Sequence, residues 1–263
     1  TGSSTKIPYD EAGYMDIAPE DRGENIRREI CLTLEQMGIR PESSHHEEGP
    51  GQNEIDFRYS DPLTAADNTM TFQTVVKTIA RRNGVFVDFS PKPLDDKPGN
   101  GFHINMSVKP SDSSENLCYM IAGVLEKVVE MTAFLNPTEE SYNRFGMDKA
   151  PGYVSWSSEN RSQLVRIPAA VGEYRRAELR SPDPMANPYL AFTLMIYAAL
   201  NGLENKLDLP EAANINLYKA DAETLARFKK LPESLSDACK VAAASEFIKK
   251  HIPTAILDIY CNK

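Results

Sequence analysis

The sequence lacks several features that would assign a protein class at once. It has no apolar run of about 18 residues, so we expect no membrane-spanning helix. It has no GxxxxGK[ST] loop, which excludes a P-loop nucleotide site. Its four cysteines form no CxxC pair and no zinc-ligand spacing, as is typical of reduced thiols in a cytoplasmic protein. They are Cys31, Cys118, Cys239 and Cys261.

Basic charge is also in short supply. The chain has 29 Lys and Arg residues against 38 Asp and Glu, which gives a formal net charge of −9. We therefore expect no nucleic-acid partner, because binding to a phosphate backbone needs a basic surface.

The start, TGSSTKIPYD, fits neither a secretion signal nor an initiator Met, so we expect a cut or processed chain. The 263 residues, 41% of them hydrophobic, suffice for a core in one or two domains.

Hydrophobic periodicity predicts an α+β protein. Helical spacing covers residues 18–38, 64–84, 114–137, 187–206 and 221–250. The fourth of these helices is apolar nearly all round, so we expect it to be buried. Alternating residues predict strands over 54–59, 84–93, 101–109, 162–168 and 173–182. We expect a curved, largely antiparallel sheet with a polar ligand-binding face, backed by helices.

Three of the predicted strands have a polar face of mixed acids, bases and histidine. Taken alone, each fits the solvated face of an antiparallel sheet. Together they favour a cleft in which carboxylates hold a divalent ion and arginines hold phosphate or carboxylate. Several carboxylates with one imidazole and no thiolate suit Mg²⁺ or Mn²⁺ better than structural zinc. The three sets are Glu54, Asp56 and Arg58; His103, Asn105 and Ser107; Arg176, Glu178 and Arg180.

Four motifs resemble, in order and spacing, the catalytic domain of type I glutamine synthetases. They are SHHEEGPGQNEIDFRY (44–59), GNGFHINMS (99–107), NRSQLVRIP (160–168) and RRAELRSPDPMANPYLAF (175–192). The resemblance covers nearly the whole chain and implies one catalytic domain over 1–263, with the fold shared by glutamine synthetases and guanido kinases. It implies a cytoplasmic enzyme that ligates ammonia to the γ-carboxylate of L-glutamate, using ATP and passing through γ-glutamyl phosphate.

The resemblance also implies roles for individual residues. Metal ligands for Mg²⁺ or Mn²⁺ are Glu47 and Glu54 in one site, and His103 and Glu178 in a second. Glutamate-binding positions are Gly99, Arg144, Arg161 and Arg180. ATP-binding positions are Glu42, Asp56, Arg58, Asn105, Ser107, Arg166 and Arg176. Arg161 and Arg166 would also stabilise charge during phosphoryl transfer. We expect His45 and His46 to be packing or supporting residues rather than ligands.

Some features depart from the family pattern. In the family, a β-grasp domain and an E-x-E strand come before the segment at which this sequence starts, and members continue beyond IYCNK, so we expect trimmed ends. We therefore expect the chain to be inactive alone and to stay out of the homo-oligomeric double ring expected of its full-length parent. Lys149 stands where the family has a flap glutamate, and the adjacent Asp148 is a candidate substitute. Tyr218 matches a position that some members modify, although an exposed loop tyrosine is the simpler interpretation.

Two alternatives to glutamine synthesis stay open at this point. Lys149 favours a γ-glutamyl ligase that acts on an amine other than ammonia, because ammonium needs acids around it. A non-catalytic relative that binds nucleotide is the other alternative, and the complete set of arginines and metal ligands argues against it. The sequence does not decide which amine reacts, nor does it indicate feedback regulation.

Overall fold

The structure is a computed structural model that describes residues 5–109, 114–147, 149–158, 160–170 and 174–261. The chain divides into two compact units, Thr1–Gly99 and Asn100–Lys263. Among the described residues, no helix is long and apolar enough to cross a membrane. The four cysteines are free thiols.

The first unit packs two helices beside a two-stranded hairpin. Its elements are α1 (Glu24–Gln36), β1 (Pro41–His46), β2 (Asn53–Phe57) and α2 (Pro62–Arg82). Both helices stop where the sequence predicts, because Gly38 and Gly84 adopt φ of +84° and +75°, which favours glycine. Helix α1 begins at Glu24 rather than near residue 18. The core consists of Ile30, Leu34, Ile39, Val75, Val76 and Ile79.

The hairpin sets which side chains face the core. Ile55 and Phe57 on β2 pack against the first unit's core, so the alternating Glu54 and Asp56 lie on the opposite face. Strand β1 was not predicted from the sequence. It pairs antiparallel with β2, and the turn between them closes with a hydrogen bond from the Glu47 N–H to the Gln52 carbonyl, 2.8 Å.

The second unit packs helices against one face of a four-stranded sheet. Its strands are β3 (Ile104–Met106), β4 (Trp156–Ser157), β5 (Val165–Arg166) and β6 (Ala177–Leu179), in the order β3-β6-β5-β4. The β4–β5 pair is parallel and the other two pairs are antiparallel. The helices are α3 (Ser114–Leu135), a 3₁₀ helix (Glu139–Arg144), α4 (Pro188–Asn205), α5 (Ala222–Leu225), α6 (Leu235–Ala244), α7 (Glu246–His251) and α8 (Thr254–Cys261).

Helices α3 and α4 meet backbone to backbone. A Cβ on Gly123 would lie 2.1 Å from the Ala198 carbonyl oxygen, and one on Gly202 would lie 2.0 Å from the Tyr119 carbonyl oxygen. No real Cβ makes contacts that short, so both positions need glycine. Beneath this pair, Ile104 and Leu179 of the sheet join the large core of the unit. The apolar side of the predicted strand over 101–109 therefore faces the helices, as its alternation predicts.

The structure corrects three predictions about elements. The predicted strand over 84–93 is irregular, because Val87 and Phe89 pack on the first unit's core while Pro91 and Pro93 lack ladder donors. Helix α4 is not buried all round, since one stripe with Ile196 is exposed. The predicted helix over 221–250 is broken into short helices, which continue to Cys261.

Candidate active site

The first unit contains a group that we call the hairpin cluster: His45, Glu47 and Glu54. The register pairs His45 directly with Glu54, and Glu47 follows two residues later, so the pleat places all three side chains on one face. Each residue offers one ligand atom, and these atoms lie within 4.8 Å of one another. His45 Nε2 is 3.5 Å from Glu47 Oε1 and 3.9 Å from Glu54 Oε1.

A buried ion pair supports the hairpin cluster from the other face of β1. His46 is fully buried, and its ring nitrogens contact the Glu47 carbonyl at 2.7 Å and Asp10 Oδ1 at 2.9 Å. Asp10 also accepts hydrogen bonds from the N–H groups of Gly51 and Arg22. Burial would raise the pKa of Asp10, but these hydrogen bonds and the His46 charge lower it overall. Asp10 thus ties the turn of the hairpin to an earlier segment, and no sequence pattern predicted this role.

The remaining predicted residues of the first unit lie outside the hairpin cluster. Glu42, Asp56 and Arg58 are exposed. Asp56 Oδ2 accepts a hydrogen bond from the Ser43 hydroxyl at 2.6 Å, while the Arg58 guanidinium lies 5.8 Å from the Tyr59 ring centroid. The Gly99 carbonyl accepts from Gln52 Nε2 at 3.0 Å, which ties the end of this unit to the hairpin turn.

The second unit contains a group that we call the sheet cluster: His103, Arg166, Glu178 and Arg180. Glu178 lies on the central strand β6, and the register pairs it with Asn105 on one side and Arg166 on the other. Its Oε2 accepts from Arg166 Nε at 2.7 Å. Its Oε1 is 3.2 Å from both Arg180 Nη1 and His103 Nδ1. The sequence predicted that His103, Glu178 and Arg180 lie on polar strand faces, and the structure brings them together, with Arg166, around the Glu178 carboxylate.

Positive charge dominates the sheet cluster. Burial alone would raise the pKa of Glu178, but the hydrogen bond from His103 and the charges of His103, Arg180 and Arg166 lower it far below its ordinary value. Burial lowers the pKa of His103, and Glu178 opposes that shift. Glu178 is therefore an anion at neutral pH, and two guanidinium groups leave the cluster with a net positive charge. Such a surface suits a phosphate or carboxylate ligand.

Arg144 lies next to the sheet cluster, and Ser181 and Asp183 fix its guanidinium group. A Cβ on Gly101 would lie 2.9 Å from His103 Nε2 and 3.6 Å from Arg144 Nη2, so these two groups flank the same glycine. Arg144 Nη1 donates to the Ser181 carbonyl at 3.1 Å and lies 3.8 Å from Asp183 Oδ2. Burial lowers the pKa of Arg144 to about 10, so its guanidinium stays charged at neutral pH.

Asp183 is a supporting residue that sequence reasoning missed. It is fully buried, and Asn136 Nδ2 donates to its Oδ2 at 3.1 Å. Burial raises its pKa, although Arg144 and the hydrogen bonds act against that shift. An acid between two prolines, in SPDP, was the available signal, because Asp rarely sits in a buried turn without a partner. Asp183 fixes the side chain of Arg144, for which the family resemblance implies glutamate binding.

The other predicted residues of the second unit are more peripheral. Arg176 Nε donates to Asn105 Oδ1 at 3.0 Å, which joins two predicted ATP contacts, whereas Ser107 is exposed after β3. Arg161 lies in an exposed turn ahead of β5. Lys149 has φ of +67°, and its carbonyl accepts from Arg180 Nη2 at 3.4 Å.

Two residues singled out in the sequence need separate comment. Asp148 lies outside the described residues. Tyr218 is not an exposed loop tyrosine, because its side chain is half-buried and its Oη is buried. The asparagine-rich loop around it folds back on the unit, as the hydrogen bond from the Leu217 N–H to Ser162 Oγ shows.

Both clusters contain donor atoms of the kind that divalent ions bind. Among the described residues, the ring nitrogen His45 Nε2 of the hairpin cluster has fewer competing hydrogen bonds than Glu178 of the sheet cluster. In the hairpin cluster, His45 Nε2 is buried without a hydrogen-bond partner among the described residues, and it faces two carboxylates. Such an orphaned nitrogen fits a cation. In the sheet cluster, a Cβ on Gly101 would lie 2.9 Å from His103 Nε2, so glycine at this position leaves that nitrogen uncovered. Glu178 is present there too, but it already accepts from Arg166 and Arg180.

Comparison with known proteins gives a consistent match. Residues 2–263 match the family model for the glutamine synthetase catalytic domain. Glutamine synthetase of Methanosarcina mazei is 42% identical over 278 residues, which cover 100% of this chain and 62% of the relative. That of Staphylococcus aureus (strain MW2) is 42% identical over 276 residues, covering 99% and 62%. The chain thus spans less than two thirds of the length of these relatives.

Solved structures match the fold closely. An ADP complex of GmaS superposes with a TM-score of 0.86 at 28% identity, covering 97% of this chain and 63% of that one. Plasmodium falciparum glutamine synthetase, solved by cryo-EM, gives 0.83 at 21% identity and covers 96% and 60%. At that identity the second match supports the fold alone, which is the predicted α+β class.

Proposed function

We propose a function from one premise: the chain belongs to the glutamine synthetase family, as its catalytic domain. The proposed reaction of the whole protein is the ATP-dependent ligation of ammonia to the γ-carboxylate of L-glutamate. The observation that carries this proposal is the environment of Glu178. It lies in the middle of a sheet face and is surrounded by His103, Arg166 and Arg180. That face combines metal-ligand atoms with excess positive charge, which phosphoryl transfer between anions requires.

The reaction proceeds in two balanced steps. A γ-carboxylate oxygen of glutamate bonds to the γ-phosphorus of ATP while the bond to ADP breaks, giving γ-glutamyl phosphate. Ammonia nitrogen then bonds to the acyl carbon, phosphate leaves, and a proton is released. Arg166 and Arg161 would counter the charge of the phosphoryl group as it moves, and Arg176 would contact ATP. The GmaS relative was solved with ADP, which supports a nucleotide site in this fold.

Glutamate would be bound by arginines that the structure holds rigidly. Arg144 is fixed by Asp183 and the Ser181 carbonyl, and Arg180 is fixed by Glu178 and the Lys149 carbonyl. Both guanidinium groups retain a buried Nε without a hydrogen-bond partner among the described residues. A carboxylate bound beside these arginines would accept hydrogen bonds from their guanidinium N–H groups. Gly99 and Arg161 complete the proposed glutamate contacts.

Divalent ions, Mg²⁺ or Mn²⁺, belong to the same proposal. Glu47 and Glu54 would hold one ion, and His103 with Glu178 would hold a second. Bound there, the ions would neutralise phosphate charge and orient the transferred group. Further proposed ATP contacts are Glu42, Asp56, Arg58, Asn105 and Ser107. We also propose a cytoplasmic location and a homo-oligomeric double ring for the full-length parent.

A second candidate function differs only in the amine. Lys149 replaces an acid that would stabilise ammonium, and its φ of +67° places it in a tight turn beside Arg180. A cation there disfavours ammonium as a ligand and favours an amine that needs no acid. The proposal would then be a γ-glutamyl ligase for that amine, with the phosphoryl step unchanged.

Product analysis on the full-length parent separates these functions. The protein is incubated with L-glutamate, ATP and Mg²⁺, with either ammonium or putrescine as the amine. Glutamine, ADP and phosphate in equal amounts are the expected products with ammonium. A γ-glutamyl amide of putrescine, with no glutamine, would favour the second candidate. Absence of ATP turnover with both amines would overturn both functions.

A further inference from the structure

Helices α6 and α8 bring two of the four cysteines together in the second unit. Cys239 lies on α6 and is buried, while Cys261 is the last residue of α8 and is half-buried. The Cys239 thiol donates a hydrogen bond to the Tyr260 carbonyl at 3.4 Å, and it also hydrogen-bonds with the Cys261 thiol. Both side chains pack in the large core of this unit. Two reduced thiols that are far apart in the sequence are therefore in contact.

The cysteine pair lies where three helical elements meet. Helix α6 packs against both α8 and the 3₁₀ helix that ends at Arg144. On that 3₁₀ helix, burial and the nearby Cys239 thiol raise the pKa of Tyr142, and Cys261 contributes to the same shift. The Tyr260 ring stacks on Phe134 of α3, with the ring centroids 4.7 Å apart. A change at the two thiols would therefore act on the elements that support Arg144.

The contact between the thiols is of the kind that precedes a disulfide bond. A disulfide needs its sulfur atoms about 2.05 Å apart, so cysteines can pair only where their side chains point at each other. Cys239 and Cys261 meet that condition, because their thiols hydrogen-bond. A bond between them would cross-link α6 to α8 and enclose α7, which lies between them in the chain. Such a closed loop restricts the unfolded chain and stabilises the folded one.

We propose that Cys239 and Cys261 are a redox-sensitive pair, which hydrogen peroxide oxidises to a disulfide that fixes α8 to α6. This inference goes beyond the proposed function and does not depend on it. The half-buried Cys261 thiolate attacks one peroxide oxygen, the O–O bond breaks, hydroxide leaves, and Cys261 becomes a sulfenic acid. The Cys239 sulfur then bonds to the Cys261 sulfur, the S–O bond breaks, and water leaves. Overall, two thiols lose two electrons and two protons, and one peroxide is reduced to two waters.

Oxidation of this pair is expected to be slow at neutral pH. Burial, the Cys239 thiol and the charge of Asp258 raise the pKa of Cys261 to about 12. Only the thiolate attacks peroxide, and a thiol with so high a pKa is almost entirely protonated at neutral pH. The reduced pair therefore survives brief exposure to peroxide and responds to sustained oxidation.

The test treats the folded full-length protein with hydrogen peroxide at about pH 8.5, where more thiolate is present. Remaining thiols are alkylated, and the protein is digested with trypsin without reduction. We expect one cross-linked product that joins fragments 231–240 and 251–263, each of which contains a single cysteine. A reducing agent should separate the two fragments. Recovery of both cysteines as alkylated thiols or as sulfinic acids, or cross-linked to Cys31 or Cys118, overturns the inference.

Two variants control the mass-spectrometric result. Cys261→Ser should abolish the cross-linked product. Cys118→Ser should keep it, and Cys118 is a matched control because it is also a half-buried helical cysteine of the second unit. The comparison between oxidised and reduced parent needs no substitution, so it decides the question even if Cys261→Ser does not fold.

Stability provides the second readout. We expect oxidation to raise the thermal unfolding midpoint of the parent and of Cys118→Ser by about 5 °C, and to leave that of Cys261→Ser unchanged. Hydrogen exchange over residues 139–144 should slow on oxidation, because the 3₁₀ helix packs on α6. A cross-linked product without any rise in the unfolding midpoint would show that the disulfide does not fix α8, which overturns the inference. Neither readout measures the products of the reaction, so failure here leaves the proposed function intact.

Discussion

The hairpin cluster and the sheet cluster share an arrangement and differ in charge. Each places a histidine and a glutamate on one face of paired antiparallel strands, His45 with Glu54 and His103 with Glu178. The hairpin cluster adds a second carboxylate. The sheet cluster adds two guanidinium groups, and Arg166 lies 2.7 Å from Glu178. The same pair of residue types is therefore left with negative charge in one unit and positive charge in the other.

This difference teaches that a His–Glu pair does not define its ligand. In the hairpin cluster, two carboxylates lie close together, and a bound cation would relieve their mutual repulsion. In the sheet cluster, Glu178 is already neutralised by arginines, and the excess charge attracts an anion. A metal would bind the sheet cluster tightly only together with an anionic ligand. The two clusters should thus respond differently to loss of an acid and to loss of a base.

The largest effect should follow removal of the central acid. We expect Glu178→Ala in the full-length protein to lower ATP turnover more than a hundredfold, because two guanidinium groups and His103 lose their common partner and the proposed second ion loses a ligand. Steady-state ADP production measures this. Glu246→Ala, an exposed acid paired with Lys249, is the control and should keep normal turnover. Retention of a tenth of the activity, a loss of only about 1.4 kcal/mol in transition-state stabilisation, would exclude the metal role.

The next effect concerns the support of the hairpin. We expect Asp10→Asn to destabilise the first unit by about 3 kcal/mol. The substitution replaces the buried carboxylate that contacts His46 with an uncharged amide. Hydrogen exchange over residues 41–57 measures this locally. Exposed Asp96→Asn is the control.

Acid should remove the effect of Asp10→Asn. The pKa of Asp10 is lowered in the folded state, so its contribution to stability is present above the ordinary Asp value of about 4. That contribution is lost as pH falls through the lower, folded-state pKa. The stability difference between the parent and Asp10→Asn should therefore shrink below about pH 4. A difference that stays constant down to pH 2 would show that the Asp10 charge does not matter.

A smaller effect tests the charge contrast directly. We expect Arg166→Gln to weaken ADP binding about tenfold, since one charge-assisted contact is lost. Mn²⁺ binding to the hairpin cluster should not change, because Arg166 is not part of it. Calorimetric titrations with ADP and with Mn²⁺ give both numbers. Arg82→Gln, which is largely exposed, is the control. Equal loss of both affinities would mean that the clusters do not act as separate sites.

The smallest expected effect comes from crowding His103. A Cβ on Gly101 would lie 2.9 Å from His103 Nε2, so Gly101→Ala should turn the ring and weaken metal binding at the sheet cluster by a few-fold. The nitrogen chemical shifts of His103 would report the turn. Gly13→Ala is the matched control, because its Cβ would meet its nearest neighbour at 3.6 Å. Unchanged His103 chemical shifts would show that the added methyl group does not displace the His103 ring.

Periodicity predicted the helices and the polar sheet face for physical reasons that local sequence contains. Helix stops at Gly38 and Gly84 follow from the left-handed backbone that glycine permits. The shared face of Arg176, Glu178 and Arg180 follows from the two-residue repeat of a strand. Both signals depend only on neighbours in the chain, so they can be read from the sequence without knowledge of tertiary contacts.

The residues that the sequence did not reveal depend on distant contacts. Strand β1 was missed because PESSHH has no apolar alternation, and without β1 nothing places His45 opposite Glu54. Asp10 and Asp183 lie in irregular segments, and their partners, His46 and Arg144, are far along the chain. The predicted strand over 84–93 failed for the converse reason. Its alternating Val87 and Phe89 pack on helices without pairing to a strand.

The contact between Gly123 and Gly202 affects how mutational scans of this protein should be interpreted. Neither glycine touches a ligand, yet any side chain at either position would enter the space of a backbone carbonyl on the facing helix. In a scan scored by growth, both sites would appear as intolerant as Glu178. Abundance measured in parallel would separate them, because glycine variants should lose protein and Glu178 variants should lose turnover per molecule. Substitutions at this helix crossing fail because the two backbones are too close for a side chain. A scan that records only fitness would wrongly assign a catalytic role to both glycines.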